Sequence, residues 1–320
     1  MHLKKWKKRL KRGPGAWAAF FGLGLLYVVL HLVPINALPR VGLWVGRMIA
    51  LLGGPRRRIA LRNLSKAFGS SLGFHSKREL VQRLLKTLGL TLAELGHPGF
   101  MSLDSLRERV PIQGLEHLQQ ALSQGRGVIL ATAHFGNFPL ILARLGLEGY
   151  HVGVIIRDPR HRPVARFLDR WRASYNVKTL KDKPRWASVK EALALLRENG
   201  ILVLHVDLNV SEGGLYVPFF GHWLPTFRGP AMLALRSGTP LLPTFIRRLH
   251  GLHHRLSIHP PIQVQLCGDR EEDTWRILLA LNQETEKIIS QYPDQWWWIH
   301  RRFRKEKPAS EVGRSLHAQA

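Results

Sequence analysis

A chain of 320 residues, 45% of them hydrophobic, holds enough apolar mass for a sizeable core, which excludes a disordered chain. Lys and Arg total 48 against 22 acidic residues, and the formal charge of +26 calls for an anionic partner: nucleic acid, anionic lipid, a phosphorylated substrate or an acidic protein. The single cysteine, Cys267, excludes an intrachain disulfide and any cysteine-based zinc cluster.

The amino terminus reads as a membrane-association segment. Seven Lys/Arg between Met1 and Arg12 precede an apolar run from Ala16 to Val33, close to the roughly 20 residues that cross a bilayer as a helix. A second apolar stretch runs from Val41 to Gly54, and basic residues (Arg40, Arg47, Arg56, Arg57, Arg58) flank it. A cleaved signal peptide has a similar basic start, but the run is long and no small-x-small site follows it. Exporting the second basic cluster would violate the positive-inside rule. The pattern predicts an anchor that dips into or lies along the membrane, with the body on the cytoplasmic side. The division expected is residues 1–54 as this anchor, 55–307 as an α/β domain and 308–320 as a polar tail. Further basic stretches lie at 55–62, 157–172, 247–255 and 301–307, and charge spread over the whole length suggests a folded body with basic faces.

Leu80, Leu84, Leu88 and Leu92 recur every four residues and predict a helix over 75–96, with Ser76 and Glu79 as a capping box. Another short helix is expected from Leu115 to Ser123. The chain then alternates. Strands are predicted at 127–133, 152–156, 201–206 and 240–246, and an edge strand at 255–262. Helices are predicted at 139–147, 164–175, 188–198, 229–237 and 274–292. Apolar strands separated by helices of about ten residues imply crossover connections and a mostly parallel central sheet flanked by helices.

In such sheets reactive groups gather beyond the carboxyl ends of the strands. His134 follows the apolar strand 127–133 directly. Gly136 permits a sharp turn and Asn137 is placed to cap the next helix. A histidine there is displayed at the crevice.

Ala131-Thr-Ala-His-Phe-Gly-Asn-Phe138 resembles the first motif of the lysophospholipid acyltransferase superfamily, and more closely that of the bacterial lipid A late acyltransferases. Further segments fit in order: Arg57-Arg-Ile-Ala-Leu-Arg-Asn-Leu64, Val206-Asp-Leu-Asn209, Gly214-Leu-Tyr-Val-Pro-Phe-Phe-Gly221, Gly229-Pro-Ala-Met-Leu-Ala234, Pro243-Thr-Phe-Ile-Arg247 and Tyr292-Pro-Asp-Gln-Trp-Trp-Trp-Ile-His-Arg-Arg-Phe303. The resemblance spans roughly residues 14–305. It implies an enzyme on the cytoplasmic face of the bacterial inner membrane. That enzyme moves an acyl chain from acyl carrier protein or acyl-CoA to a hydroxyl of a lipid A precursor or related phosphorylated glycolipid. A sister family with the same motifs acylates mannosylated phosphatidylinositol.

That reaction needs a base for the alcohol, worth roughly 10²–10⁴-fold, and the resemblance gives the role to His134. The Asn137 side chain and backbone N–H groups at the turn are expected to stabilise the oxyanion. One departure matters: the superfamily places an acid five residues after the histidine, and here that position is Pro139. Asp207, at the end of a neighbouring strand, is the expected substitute, with Glu212 second. Arg157 ends strand 152–156, where the resemblance implies a contact with substrate phosphate, a task suited to a planar guanidinium. Arg228, Arg247, Arg170 and Arg248 are further candidates on the same reasoning.

His250, His253, His254 and His259 straddle an expected turn and have no acids or cysteines at ligand spacing, so no metal or other cofactor is expected. Trp296-Trp-Trp298 is expected to serve core packing or interfacial anchoring. The charge alone would also suit a nucleic-acid-binding protein, but no such module is recognisable; a non-catalytic lipid-binding relative would account for Pro139.

Overall fold

The computed structural model describes residues 24–311, apart from 26, 158–161, 183, 211–212 and 309. The basic start, half of the first apolar run, Glu212 and the end of the tail therefore lie outside the described residues.

Helices come first. α1 (Leu38–Leu52) packs along α3 (Phe74–Leu95), and α2 (Gly54–Phe68) also lies against α3. Glycines close the α1–α3 contact: a Cβ on Gly89 would fall on the backbone of Gly42 and Gly46. Small residues four apart on α1 thus allow the two axes to approach. Leu84 and Leu88 are buried on the inner face of α3, while Leu92 is exposed. The capping box expected of Ser76 and Glu79 does not form. The helix starts at Phe74 with Gly73 as its cap, so Ser76 is the third helical residue and cannot cap it.

The stretch Ile35–Leu52 is apolar and long enough to cross a membrane, yet α1 is committed to α3 along one side. Its other side exposes Arg40, Trp44, Arg47 and Leu51, spaced so that they share one helical face.

α4 (Leu103–Arg109), the two-residue β1 (Ile112–Gln113) and α5 (Leu115–Leu122) lead into a seven-stranded sheet. Its strands are β2 (Val128–Thr132), β3 (Val152–Ile156), β4 (Val177–Lys181), β5 (Ile201–His205), β8 (Leu241–His250), β9 (His253–Ile258) and β1, in the order β1-β9-β8-β2-β5-β3-β4. The run β8-β2-β5-β3-β4 is parallel throughout, whereas β9 is antiparallel to β8. The crossovers are α6 (Pro139–Leu147), α7 (Arg162–Ala173), α8 (Arg185–Arg197) and α9 (Gly229–Ser237), and α10 (Arg270–Gln291) closes the body. Val128 and Leu130 face one core with α6, while Ile129 and Ala131 face a second with α8 and α10. Burial on both sides explains why β2 shows no polar alternation.

The mostly parallel α/β sheet agrees with expectation. Three details differ. The strand expected at the edge over 255–262 is His253–Ile258, and β1 pairs beyond it. β4 was hidden in the sequence because its two apolar residues, Val177 and Leu180, stand three apart among Lys and Thr, so that neither alternation nor an apolar run marks it. A separate hairpin, β6 (Leu215–Phe219) and β7 (His222–Thr226), turns through Phe220 and Gly221. Pro218 and Pro225 mask it, because proline argues against a strand.

Candidate active site

Register builds the centre of the site. In the parallel pair β2–β5, Thr132 lies opposite His205. Two residues further along each chain are His134 and Asp207. The His134 backbone N–H donates to Oδ2 of Asp207 at 2.9 Å, and the imidazole Nδ1 lies 2.9 Å from Oδ1. A third donor, the indole Nε1 of Trp296, reaches Oδ2 at 2.8 Å. Three donors on a fully buried carboxylate leave it no need for solvent. Burial would raise the Asp207 pKa, but the imidazole charge and hydrogen bonds of His134, helped by His205, hold it far below the usual carboxylate range.

The turn that carries His134 requires glycine at 136. Its φ is +55° and a Cβ would collide with the carbonyl of Ile246. The backbone donors of this turn are already engaged: His134 with Asp207, Phe135 with the Ala133 carbonyl, and Gly136 with the Gln295 carbonyl. The side chain of Asn137 does not cap α6; Phe138 occupies the cap position without a side-chain bond. Instead Asn137 is buried and its amide donates to Glu94 at 2.6 Å.

Glu94 is the buried acid beneath the turn. Arg248 pairs with both its carboxylate oxygens, the second at 2.8 Å, and Nε2 of His254 lies 3.1 Å away. Burial opposes this charge, yet His254 and Arg248 lower its pKa to about 2. Gln295 ties the network back to the turn: its amide accepts from the Arg248 N–H and donates to the Arg248 carbonyl.

Around the His134 ring stand Phe138, His205, His300 and Trp297, with centroids 4.5–5.9 Å away. Burial first, then the proximity of His134, lowers His205 to about 3 and His300 to about 4, so both are neutral at pH 7. Nε2 of His205, Nε2 of His300 and Nε1 of Trp297 are buried without hydrogen-bond partners. Arg302, also buried, donates to the carbonyl of Pro225 and to Thr226 and so braces the hairpin.

The arginines are more dispersed. Arg157 follows β3 at the same sheet end, two strands from β2 and so about 10 Å along the sheet. Its exposed side chain donates to Asp182 at 2.9 Å. Arg228 pairs with Glu271, Arg247 stacks over the Tyr292 ring at 4.6 Å, and Arg170 is exposed on α7. The structure thus brings His134 and Asp207 together and gathers none of Arg228, Arg247 or Arg170 into contact with them. Sequence reasoning missed Glu94, Trp296 and His300. The polar stripe Thr87, Thr91, Glu94, buried among the leucines of α3's inner face, was the available signal for the first. The order of segments near 292–303 was the signal for the others.

The model of the family described as bacterial lipid A biosynthesis acyltransferase matches residues 4–305. The chain belongs to that family. Among its relatives is the lipid A biosynthesis lauroyltransferase of Escherichia coli strain K12, 26% identical over 294 residues, covering 91% of this chain and 92% of the relative. The palmitoleoyltransferase of the same organism is also 26% identical, over 302 residues, 93% of this chain and 94% of the relative. The phosphatidylinositol mannoside acyltransferase of Mycobacterium tuberculosis strain H37Rv is 33% identical over 192 residues, 58% of this chain and 57% of the relative. Membership makes the protein an acyltransferase, and its matched region contains the whole His134–Asp207 site.

Proposed function

We propose that the protein is a membrane-associated O-acyltransferase that moves an acyl chain from a thioester, on acyl carrier protein or coenzyme A, to a hydroxyl of a lipid A precursor or related phosphorylated glycolipid. The observation that carries this reading is the 2.9 Å contact between His134 Nδ1 and Asp207 Oδ1 at the sheet's carboxyl end. With Nδ1–H held by an ionised carboxylate, Nε2 is the nitrogen offered to the acceptor. Asp207 supplies the charge that Pro139 takes from the superfamily's usual position.

In this mechanism Nε2 of His134 removes the acceptor hydroxyl proton as the oxygen attacks the thioester carbonyl carbon. Asp207 stays ionised and stabilises the imidazolium. The tetrahedral intermediate collapses with cleavage of the C–S bond, and the imidazolium returns its proton to the departing thiolate. One ester and one thiol result. Asn137 is occupied by Glu94, so the unpartnered side-chain groups left around the His134 ring for the oxyanion are the neutral imidazoles of His205 and His300 and Nε1 of Trp297.

The acceptor class is supported by relatives named for lipid A and for phosphatidylinositol mannoside. Arg157 suits an acceptor phosphate, since its pair with Asp182 is exposed and exchangeable. The lipid-facing side of α1, with Trp44 between Arg40 and Arg47, suits an anionic bilayer on the cytoplasmic face, where both thioester donors are found.

The test is acyl transfer by the purified full chain, with thioesters of several chain lengths on acyl carrier protein and on coenzyme A. The acceptors are lipid A precursor and mannosylated phosphatidylinositol in parallel arms. Wild type should transfer to one of them, and His134→Ala should lose about 10²–10⁴ in kcat. Activity of His134→Ala within tenfold of wild type sinks the mechanism; no turnover with any pair favours a non-catalytic lipid-binding relative.

A further inference from the structure

We infer that Asn63, on α2, is a positioning residue for the His134–Asp207 pair and acts on it through the loop 296–300. The loop touches the pair three times. The Trp296 indole donates to the Asp207 carboxylate, the Trp297 N–H donates to the His134 carbonyl at 3.0 Å, and the His300 ring sits 4.9 Å from the His134 ring. Every one of these contacts depends on the path of five consecutive residues that belong to neither a helix nor a sheet strand.

One amide on α2 holds two of the loop's carbonyls at once. Asn63 is buried, and its Nδ2 donates to the carbonyl of Trp298 at 2.7 Å and to that of His300 at 2.6 Å. An NH2 group has two donors, and both are spent on this loop. Arg56, about two turns earlier on the same side of α2, adds a bond from Nη1 to the Ile299 carbonyl at 3.2 Å. Three successive carbonyls, 298 to 300, are therefore held from α2, while the opposite side of the loop presents its contacts to the catalytic pair. Trp297 and His300 are stacked with an interplanar angle of 8°, so a shift of His300 carries Trp297 with it. Asn63 touches neither His134 nor Asp207, which makes its role one of placement.

The inference rests on the proposed acyl-transfer mechanism, and the experiment separates the two. In the same assay His134→Ala, Asn63→Asp, Arg56→Ala and Asn282→Asp are compared with wild type for kcat, KM and melting temperature. Asn63→Asp keeps the shape but sets an anion against two carbonyls. Asn282, buried on α10 and bonded to the Pro218 carbonyl at 2.8 Å, is an amide of the same kind away from the pair. We expect Asn63→Asp to lower kcat tenfold or more with KM within twofold, and Asn282→Asp to lower the melting temperature with kcat within twofold. Arg56 is exposed, so we expect Arg56→Ala to keep the wild-type melting temperature and to lose two- to fivefold in kcat at constant KM. If Asn63→Asp folds with kcat within twofold of wild type, the inference is overturned. If it does not fold, Arg56→Ala decides: an unchanged kcat overturns the inference and the expected loss supports it. Activity retained by His134→Ala would instead refute the mechanism.

Discussion

Asp207 receives the indole N–H of Trp296 on the same oxygen that takes the His134 backbone N–H, leaving its other oxygen to the imidazole. The carboxylate is thereby fixed in rotation, and a fixed carboxylate orients the ring it holds.

Trp296→Phe tests that relationship directly. It removes one hydrogen bond to a buried charge, which costs about 1.5–3 kcal/mol of stability. We expect kcat to fall about tenfold, equivalent to about 1.4 kcal/mol, with KM little changed. Full rate in the Trp296→Phe variant would mean that the remaining two donors suffice to orient Asp207.

Glu94→Gln should be among the most damaging substitutions outside the pair. It leaves Arg248 and His254 buried without their counter-charge, a change worth about 3–5 kcal/mol. The double substitution Glu94→Met with Arg248→Met should recover part of that loss, because the buried cation leaves with its counter-charge while Asn137 and His254 still lose their partner. Denaturant unfolding of Glu94→Met, Arg248→Met and the double variant measures the coupling; strictly additive losses would show that the two charges are independent.

Acid should destabilise the fold in two stages. His205 and His300 have folded pKa values of about 3 and about 4, below the ordinary 6.5, so the unfolded chain binds more protons between those values. Their contribution is complete above pH 6.5 and is lost as pH falls toward 4 and 3. Glu94, lowered from 4.5 to about 2, adds stability above 4.5 that is lost as pH falls toward 2. The melting temperature should therefore hold near pH 7–8 and drop steadily from 6.5 downward. His205→Asn should flatten the upper part of that slope; an identical slope in the variant would remove His205 from the account.

The exposed side of α1 should enter lipid. Leu52 is 85% exposed and Leu51 74%, values that water does not favour for leucine. In a Cys267→Ser background, Leu52→Cys labelled with a polarity-sensitive dye should shift to the blue on mixing with anionic vesicles. The same label at Gln124→Cys, on the far end of the sheet, should not. Equal responses at both positions would contradict a defined membrane face.

Much of the architecture was legible because the buried strands are uninterrupted apolar runs and the crossovers have helical period. His134 and Asp207 could be paired in advance because both stand just past strand ends, and parallel register converts such positions into neighbours. β4 escaped because it has neither alternation nor an apolar run, and the β6–β7 hairpin because proline masks it. The supports escaped for another reason. Asn63 and the Trp298 carbonyl are 235 residues apart in sequence, and Glu94 and Arg248 are 154 apart. Local patterning carries no trace of which distant carbonyl or cation a buried polar group will meet.

On the proposed acyl-transfer reading, the glycine contact between α1 and α3 also bears on how acceptors would be chosen. Gly89 locks α1 in place, and five residues further along the same rigid helix Glu94 grips the turn that bears His134. For a protein seated on lipid through α1, this chain of contacts acts as a spacer of set length, holding the base at one height above the acyl-chain layer. On that reading a hydroxyl would be selected by the altitude at which its own sugar stands, before any contact with the sugar itself.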